Sequence, residues 1–410
     1  MKISRWILAP MAALTLGSQP YSALGQSNSA ADPMALNQLA TAHNRFGFKL
    51  LKQLGGAQAG QQNLFISPAS IVWALDMVLN GADGATYQAI AQALEAGNLS
   101  LIQINQANAG LKSSLEAADP KVEIAVANSL WGKAGVSFLP AFLEVTKKFY
   151  AATLETLKSA AQVNGWVSEK TKGKITSILT DQDIKPDTIL ILVNALYFKG
   201  LWSKPFDKAE TQDRDFHPAT GAARKLPMMS QAGSYHYAEA PAYQAIQIPY
   251  GGGRLRLSLV LPAKGSSLAA FLQGLDAKTY EVLRQGMENR PGKIVLPKFK
   301  MEYGAGLIPA LSALGMGPAF GGQAEFGKIA DLGAGQRLYI SEVRHKTFVE
   351  LNEEGTEAAA VTSIGMRATG MPPPPKPPFE MIVDRPFFVT IEDRQTGLIL
   401  FMGGVADPKI

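Results

Sequence analysis

The chain has no cysteine among its 410 residues. That absence removes disulfide staples, thiol nucleophiles, thiolate metal sites and a lipid-attachment cysteine together. Histidine is scarce as well: His43, His217, His236 and His345 are scattered, with no metal-ligand spacing. No G-x-S-x-G elbow, H-E-x-x-H pair or phosphate-cradling G-x-x-x-x-G-K-[ST] loop occurs. These gaps argue against an enzyme and give no reason to expect a metal or cofactor. A Ser/His/Asp site assembled from distant residues is the enzyme reading that remains, and it is disfavoured. Charge of one sign is also thin. The net charge of +5 falls to +3 if Lys2 and Arg5 leave with a leader, so a mixed solvated surface is expected rather than a nucleic-acid partner. The one early apolar run, Trp6 to Leu16, is too short for a membrane anchor.

With Lys2 and Arg5 before it and the small residues Ala23 and Gly25 after it, that run reads as a signal peptide over residues 1–25, cut before Gln26. The expectation is an exported protein, secreted or periplasmic, free of the membrane once cleaved. It would be stabilised by its core alone, and 47% hydrophobic residues suffice for one.

Leu36, Leu39, Ala40, Phe46, Leu50 and Leu54 recur at helical spacing, predicting a helix over 35–55. A strand runs into Ser67, an N-cap, with Pro68 at the first helical position. That helix stops near Asn80-Gly81, and a short one follows over 86–94. Val163 to Leu179 also has helical spacing. Val122, Ile124 and Val126 alternate as a strand. Thr188 to Phe198 is nearly continuous apolar sequence, as in a strand covered on both faces. Leu255 to Leu261 alternates cleanly, and Gly251 to Gly253 reads as a turn. Lys293 to Lys300 is a strand whose Pro297 suggests an edge or a bulge. Leu338 to Leu351 is a long strand, and three more follow at 379–384, 387–392 and 398–405. Helices come early and strands late with antiparallel-looking alternation, which is an α+β fold. Asn194 and His345 are polar residues inside apolar strands; buried together they would form one hydrogen-bonded cluster. The stretch Glu353 to Thr362 has two readings. Thr356 and three alanines favour a helix locally; alternatively the stretch is a strand held in waiting. The run Met371 to Pro378 reads as a polyproline spacer.

Several segments stand in order here: Asn63-Leu64-Phe65-Ile66-Ser67-Pro68-Ala69-Ser70, Asn164-Gly165-Trp166-Val167 with Thr171-Lys172-Gly173-Lys174-Ile175, Leu192 to Trp202 (LVNALYFKGLW), Leu296-Pro297-Lys298-Phe299, Glu353 to Thr362, and Asp384-Arg385-Pro386-Phe387. In these the chain resembles the serpins, the serine protease inhibitor superfamily, from about Leu36 to Pro408, and reads as a bacterial exported member. The resemblance implies a single domain over 26–410, three β-sheets with eight to nine helices, and an exposed reactive-centre loop at about 353–378. It implies a monomer with a metastable fold. It implies a shutter cluster of Ser67, Ser70, Asn194 and His345, and a breach site of Trp202, Lys298 and Glu353 with a Glu353–Lys298 ion pair. It also implies a suicide inhibitor of a serine-type endopeptidase: the target cuts the loop, the loop inserts as a new strand of the main sheet, and the acyl-enzyme is trapped. A non-inhibitory serpin acting as a binding or carrier protein is the alternative.

The hinge, Glu353, Glu354, Gly355, Thr356, Glu357, Ala358, Ala359 and Ala360, can be tested for insertion by parity. One face carries Thr356, Ala358, Ala360, Thr362, Ile364, Met366 and Ala368, all small or apolar. Glu357 and Arg367 fall on the other face, so insertion buries no charge. Family spacing places the reactive bond at Thr369–Gly370, with Arg367, Ala368 and Met366 as alternatives. Thr369 suits an elastase- or subtilisin-like target, Arg367 a trypsin-like one. Between Thr86 and Leu115 the only basic residue is Lys112, so no heparin-type activator helix is expected there.

Overall fold

The structure, a computed structural model, describes residues 32–333, 337–356 and 377–410. From Asp32 onward the described residues belong to one unit. In chain order they form α1 (Pro33–Gly55), β1 (Leu64–Ile66), α2 (Pro68–Leu79), α3 (Gly84–Leu94), α4 (Leu101–Glu116), β2 (Val122–Gly132), β3 (Ser137–Phe138), α5 (Pro140–Tyr150), β4 (Thr153–Thr156), α6 (Ala160–Lys170), β5 (Leu190–Leu201), β6 (Gln212–Phe216), β7 (Arg224–Ala240), β8 (Tyr243–Pro249), β9 (Leu255–Pro262), α7 (Leu268–Gly274), α8 (Ala277–Gln285), β10 (Glu288–Pro297), β11 (Phe299–Gly306), α9 (Ile308–Leu311), β12 (Ala330–Asp331), β13 (Ile340–Leu351), β14 (Gly355–Thr356), β15 (Phe379–Ile382), β16 (Phe387–Asp393) and β17 (Ile399–Val405). Among the described residues these make nine α-helices and three sheets, of nine, six and two strands.

The six-stranded sheet runs β11-β13-β5-β2-β4, with β14 also paired to β5. Its central strand β5 explains the unbroken apolar run. Leu190, Leu192, Leu196 and Phe198 face the main core, while Ile191, Val193 and Ala195 face a second cluster with Trp131 of β2 and Val163 and Val167 of α6. Both faces are covered, so both parities are apolar. Helix α2 is buried along its whole length, beginning at Ser67, whose hydroxyl accepts from the Ser70 N–H, with Pro68 in the first turn. It docks on β5 and β17.

Three expectations are corrected. The helix read over 163–179 ends at Lys170. Thr171 caps it, its hydroxyl donating to Val167 O and accepting from Ile175 N, and Lys172 and Gly173 take positive φ of 53° and 76°. Ile175 and Leu179, which prolonged the helical period, are buried from the linker instead. Pro297 marks no bulge, and β10 is not an edge strand, although the proline lies past Val295, the last β10 residue that β15 pairs. Pro297 is the last residue of β10, and at Lys298 the chain crosses from the nine-stranded to the six-stranded sheet. The strand pairing is not uniformly antiparallel: β13–β5, β2–β4 and β10–β15 are parallel. Helices α4 and α5 carry no counterpart in the sequence reading.

Candidate functional site

Strands β5 and β13 pair directly, in parallel, from Leu190 opposite Ile340 to Tyr197 opposite Phe348. His345 and Asn194 are register partners across this seam. Ser67 N–H donates to His345 Nε2 at 3.1 Å, so Nε2 carries no hydrogen. The neutral ring therefore holds its proton on Nδ1 and donates it to Asn194 Oδ1, 2.6 Å away. Asn194 Oδ1 also accepts from Ser70 Oγ at 2.8 Å, and Asn194 Nδ2 donates to Ser70 O at 2.8 Å and Asn128 Oδ1 at 2.5 Å. The carboxamide is thus saturated. His345 is 1% exposed, and burial pulls its pKa down to about 3, opposed by the Asn194 bond. A proton on Nε2 would face the Ser67 N–H, donor against donor.

Above the seam, β13 ends at Leu351 and the chain reverses at Asn352, whose N–H and carbonyl bond the carbonyl and N–H of Gly355. Gly355 and Thr356 then pair antiparallel with Leu201 and Gly200 of β5. The opposite edge of Gly200 is taken by Val122 of β2, so Thr356 lies on the β13 side. Thr356 therefore lies beside β5 on the side that β13 takes lower down, just above the last β5–β13 pair, Tyr197 opposite Phe348. Gly355 has φ 146°, and a Cβ there would sit 2.1 Å from Gly200 O, so only glycine fits. Thr356 is buried, its hydroxyl 2.9 Å from Tyr250 OH, and Tyr250 stacks on Trp202 with centroids 4.4 Å apart. Burial pushes the Tyr250 phenol well up, so it is neutral here.

Trp202 holds the turn by two donors, its N–H to Glu354 O at 2.9 Å and its Nε1–H to Asn352 O at 3.0 Å. Glu353 is almost fully buried, with Lys298 Nζ on one oxygen at 2.9 Å and Thr211 Oγ1 on the other at 2.9 Å. Burial alone would raise its pKa. The Lys298 bond, its own backbone N–H and Thr211 together outweigh that and hold it below the usual carboxylate range. Glu354 pairs with Lys208 at 2.6 Å.

The sequence-expected residues thus fall into two groups. Ser67, Ser70, Asn194 and His345 meet at the seam, while Trp202, Lys298, Glu353, Glu354, Gly355 and Thr356 meet above it. Glu357, Ala358, Ala359, Ala360, Met366, Arg367, Ala368, Thr369 and Gly370 lie outside the described residues, as does the segment 1–25 that reads as a leader. Sequence reasoning missed Asn128, Thr211, Tyr250 and Asn352. Asn128, a polar residue in the β2 run, was the one legible signal; it stands opposite Asn194. Lys112 is on α4 and pairs with Glu116 at 2.5 Å.

The family profile described as "Serpin (serine protease inhibitor)" matches residues 41–408. Bovine serpin B8 is 35% identical over 395 residues, covering 91% of this chain and all of its own. Among solved structures, the thermophilic serpin tengpin in its native state superposes with TM-score 0.81 at 29% identity, covering 93% of this chain and 96% of its own. Human thyroxine-binding globulin with bound thyroxine superposes with TM-score 0.81 at 26% identity, covering 92% of this chain and all of its own. With its seam, its hinge turn and its near full-length matches in agreement, the chain belongs to the serpin family.

Proposed function

We propose that this protein is a single-use inhibitor of a serine protease, working by loop cleavage and strand insertion. One observation carries the reading: Thr356 already occupies the top of the β5–β13 gap, while the seam below it is closed from Phe348 down. A strand following Thr356 downward would run antiparallel to both neighbours. Insertion would replace one parallel ladder with two antiparallel ones, which pair at least as well per residue. About ten added backbone bonds at ~1 kcal/mol net each would drive it. The inward parity, Thr356, Ala358, Ala360, Thr362, Ile364, Met366 and Ala368, suits the strip over α2 and the core. We further propose Thr369–Gly370 as the bait bond, with Arg367, Ala368 or Met366 as alternatives. An elastase- or subtilisin-like target follows from Thr369. We propose the shutter role for Ser67, Ser70, Asn194 and His345, and the breach role for Trp202, Lys298 and Glu353. A bacterial source, export by the 1–25 leader, one domain over 26–410 and a monomeric state belong to the same proposal.

The test mixes purified protein with elastase-, subtilisin- and trypsin-type proteases and reads denaturing gels. A covalent band at the summed mass is expected, and the mass of the released C-terminal fragment identifies the cut bond. Thr356→Arg would put a cation beside Tyr250 and should turn inhibitor into substrate. Cleavage without a covalent band across the whole panel would leave the carrier reading in its place.

A further inference from the structure

Between α6 and β5 the chain runs through residues 171–189, and this linker crosses the seam. On one side it is tied to α6, where Asn164 Oδ1 accepts from Ile178 N at 2.8 Å and from Leu179 N at 3.0 Å, and it ends in β5 itself. On the far side it is gripped by β13. Arg344 pairs with Asp183, and Lys346 Nζ donates to Ser177 O at 2.5 Å. Arg344 and Lys346 alternate with His345, so they point to the linker face while His345 points to α2. A cleft of about 400 Å³ opens here, lined by Ser177, Thr180 and Asp183 of the linker, Gly304 to Gly306 of β11, and Arg344 and Lys346. Asp183 is itself set in place, accepting from the N–H and hydroxyl of Thr180 at 2.7 and 2.9 Å. Arg344 is held by Glu342 as well, at 3.3 Å.

We propose that the Arg344–Asp183 ion pair is a latch that ties the α6–β5 linker across the β5–β13 seam and sets how readily the seam opens. Admitting one strand moves β13 about 4.8 Å further from β5. No hydrogen-bonded ion pair stretches that far, so the latch must break before a strand enters. The pair is partly buried, with side chains 24% and 18% exposed, and so outweighs a fully solvated one. Only its consequence for protease trapping rests on the inhibitor reading.

Hydrogen exchange of the seam amides, residues 190–197 and 340–348, tests it without any protease. Arg344→Asp and Asp183→Arg should each speed exchange about tenfold, and the double variant should recover part of that loss, because Asp at 344 would still face Glu342 and Arg at 183 the Thr180 donors. Arg344→Gln, which removes the charge and the guanidinium fork without introducing a like-charge clash, serves if a reversal fails to fold. Unchanged seam exchange in the single variants, or no restoration in the double, would overturn the latch. The same proteins are then tested for covalent complexes. Exchange that responds without any complex sinks the inhibitor reading and leaves the latch standing. Complexes that form with unmoved exchange sink the latch alone.

Discussion

Acidification should loosen this fold through His345. The ring is neutral in the folded chain, with a pKa near 3, while in an unfolded chain it titrates near 6.5. Between those values the unfolded state binds one more proton than the folded state, so stability falls as pH falls. The contribution is fully present above about pH 6.5 and drains away toward pH 3. At ~1.36 kcal/mol per pH unit, the loss is about 2 kcal/mol at pH 5 and about 3.4 kcal/mol at pH 4. The structural cause is specific: the second proton would meet the Ser67 N–H and strand a charge in a site that is 1% exposed. Because His345 bridges the seam to Asn194, the same proton should favour an opened sheet. The assay is denaturant unfolding of wild type and His345→Gln at pH 7, 6, 5 and 4, with exchange of residues 190–197 followed in parallel. His236, also shifted downward by burial and then by the positive charge of Arg256 and Arg394, is common to both proteins and cancels in the difference. The wild type should lose about 2 kcal/mol more than the variant between pH 7 and 5. Parallel pH profiles, or a His345 ring signal titrating near 6.5 in the folded protein, would refute the reasoning.

Three further outcomes follow from the turn above the seam. Lys298→Ala should cost about 2–3 kcal/mol, because Glu353 would stay buried with Thr211 as its remaining side-chain donor; thermal unfolding reads it, and a cost under half a kcal/mol would contradict the burial. Glu353, held below the usual carboxylate range, contributes stability that is present above the unfolded pKa and lost as pH falls through the folded one. Glu353→Gln should therefore flatten the profile below about pH 4.5. Gly355→Ala should cost about 2 kcal/mol or expel Thr356 from the sheet, since its Cβ would meet Gly200 O; loss of the Tyr250–Thr356 contact, seen as faster exchange at Thr356, reports the second outcome.

Much of the architecture was legible because local physics and burial agree. Ser67-Pro68 starts α2 where an N-cap and a first-turn proline should. The two-sided apolar run of β5 marks the centre of a sheet, and the parity of the hinge puts Thr356 on the buried side. Where those signals mislead, a tertiary partner has replaced a local one. Ile175 and Leu179 keep a helical period, yet the chain has left the helix at Thr171 because the cluster beside Trp131 takes them from a linker. Pro297 looks like a flaw in one strand and is the crossing between two sheets. The parallel pairing of β5 with β13 is invisible in either segment, since parallel strands meet only through the connection between them. The amino-acid sequence by itself determined that Asn194 and His345 are polar residues in apolar strands, and Asn128 carried the same signal unread. Only the tertiary structure decided that the expected cluster lies on the β5–β13 seam and takes in Asn128, which ring nitrogen of His345 holds the proton, and that Thr356 sits at the top of the gap. The physical reason is that hydrogen-bond partners and strand register are relations between distant segments, and composition or period within one segment carries no record of them.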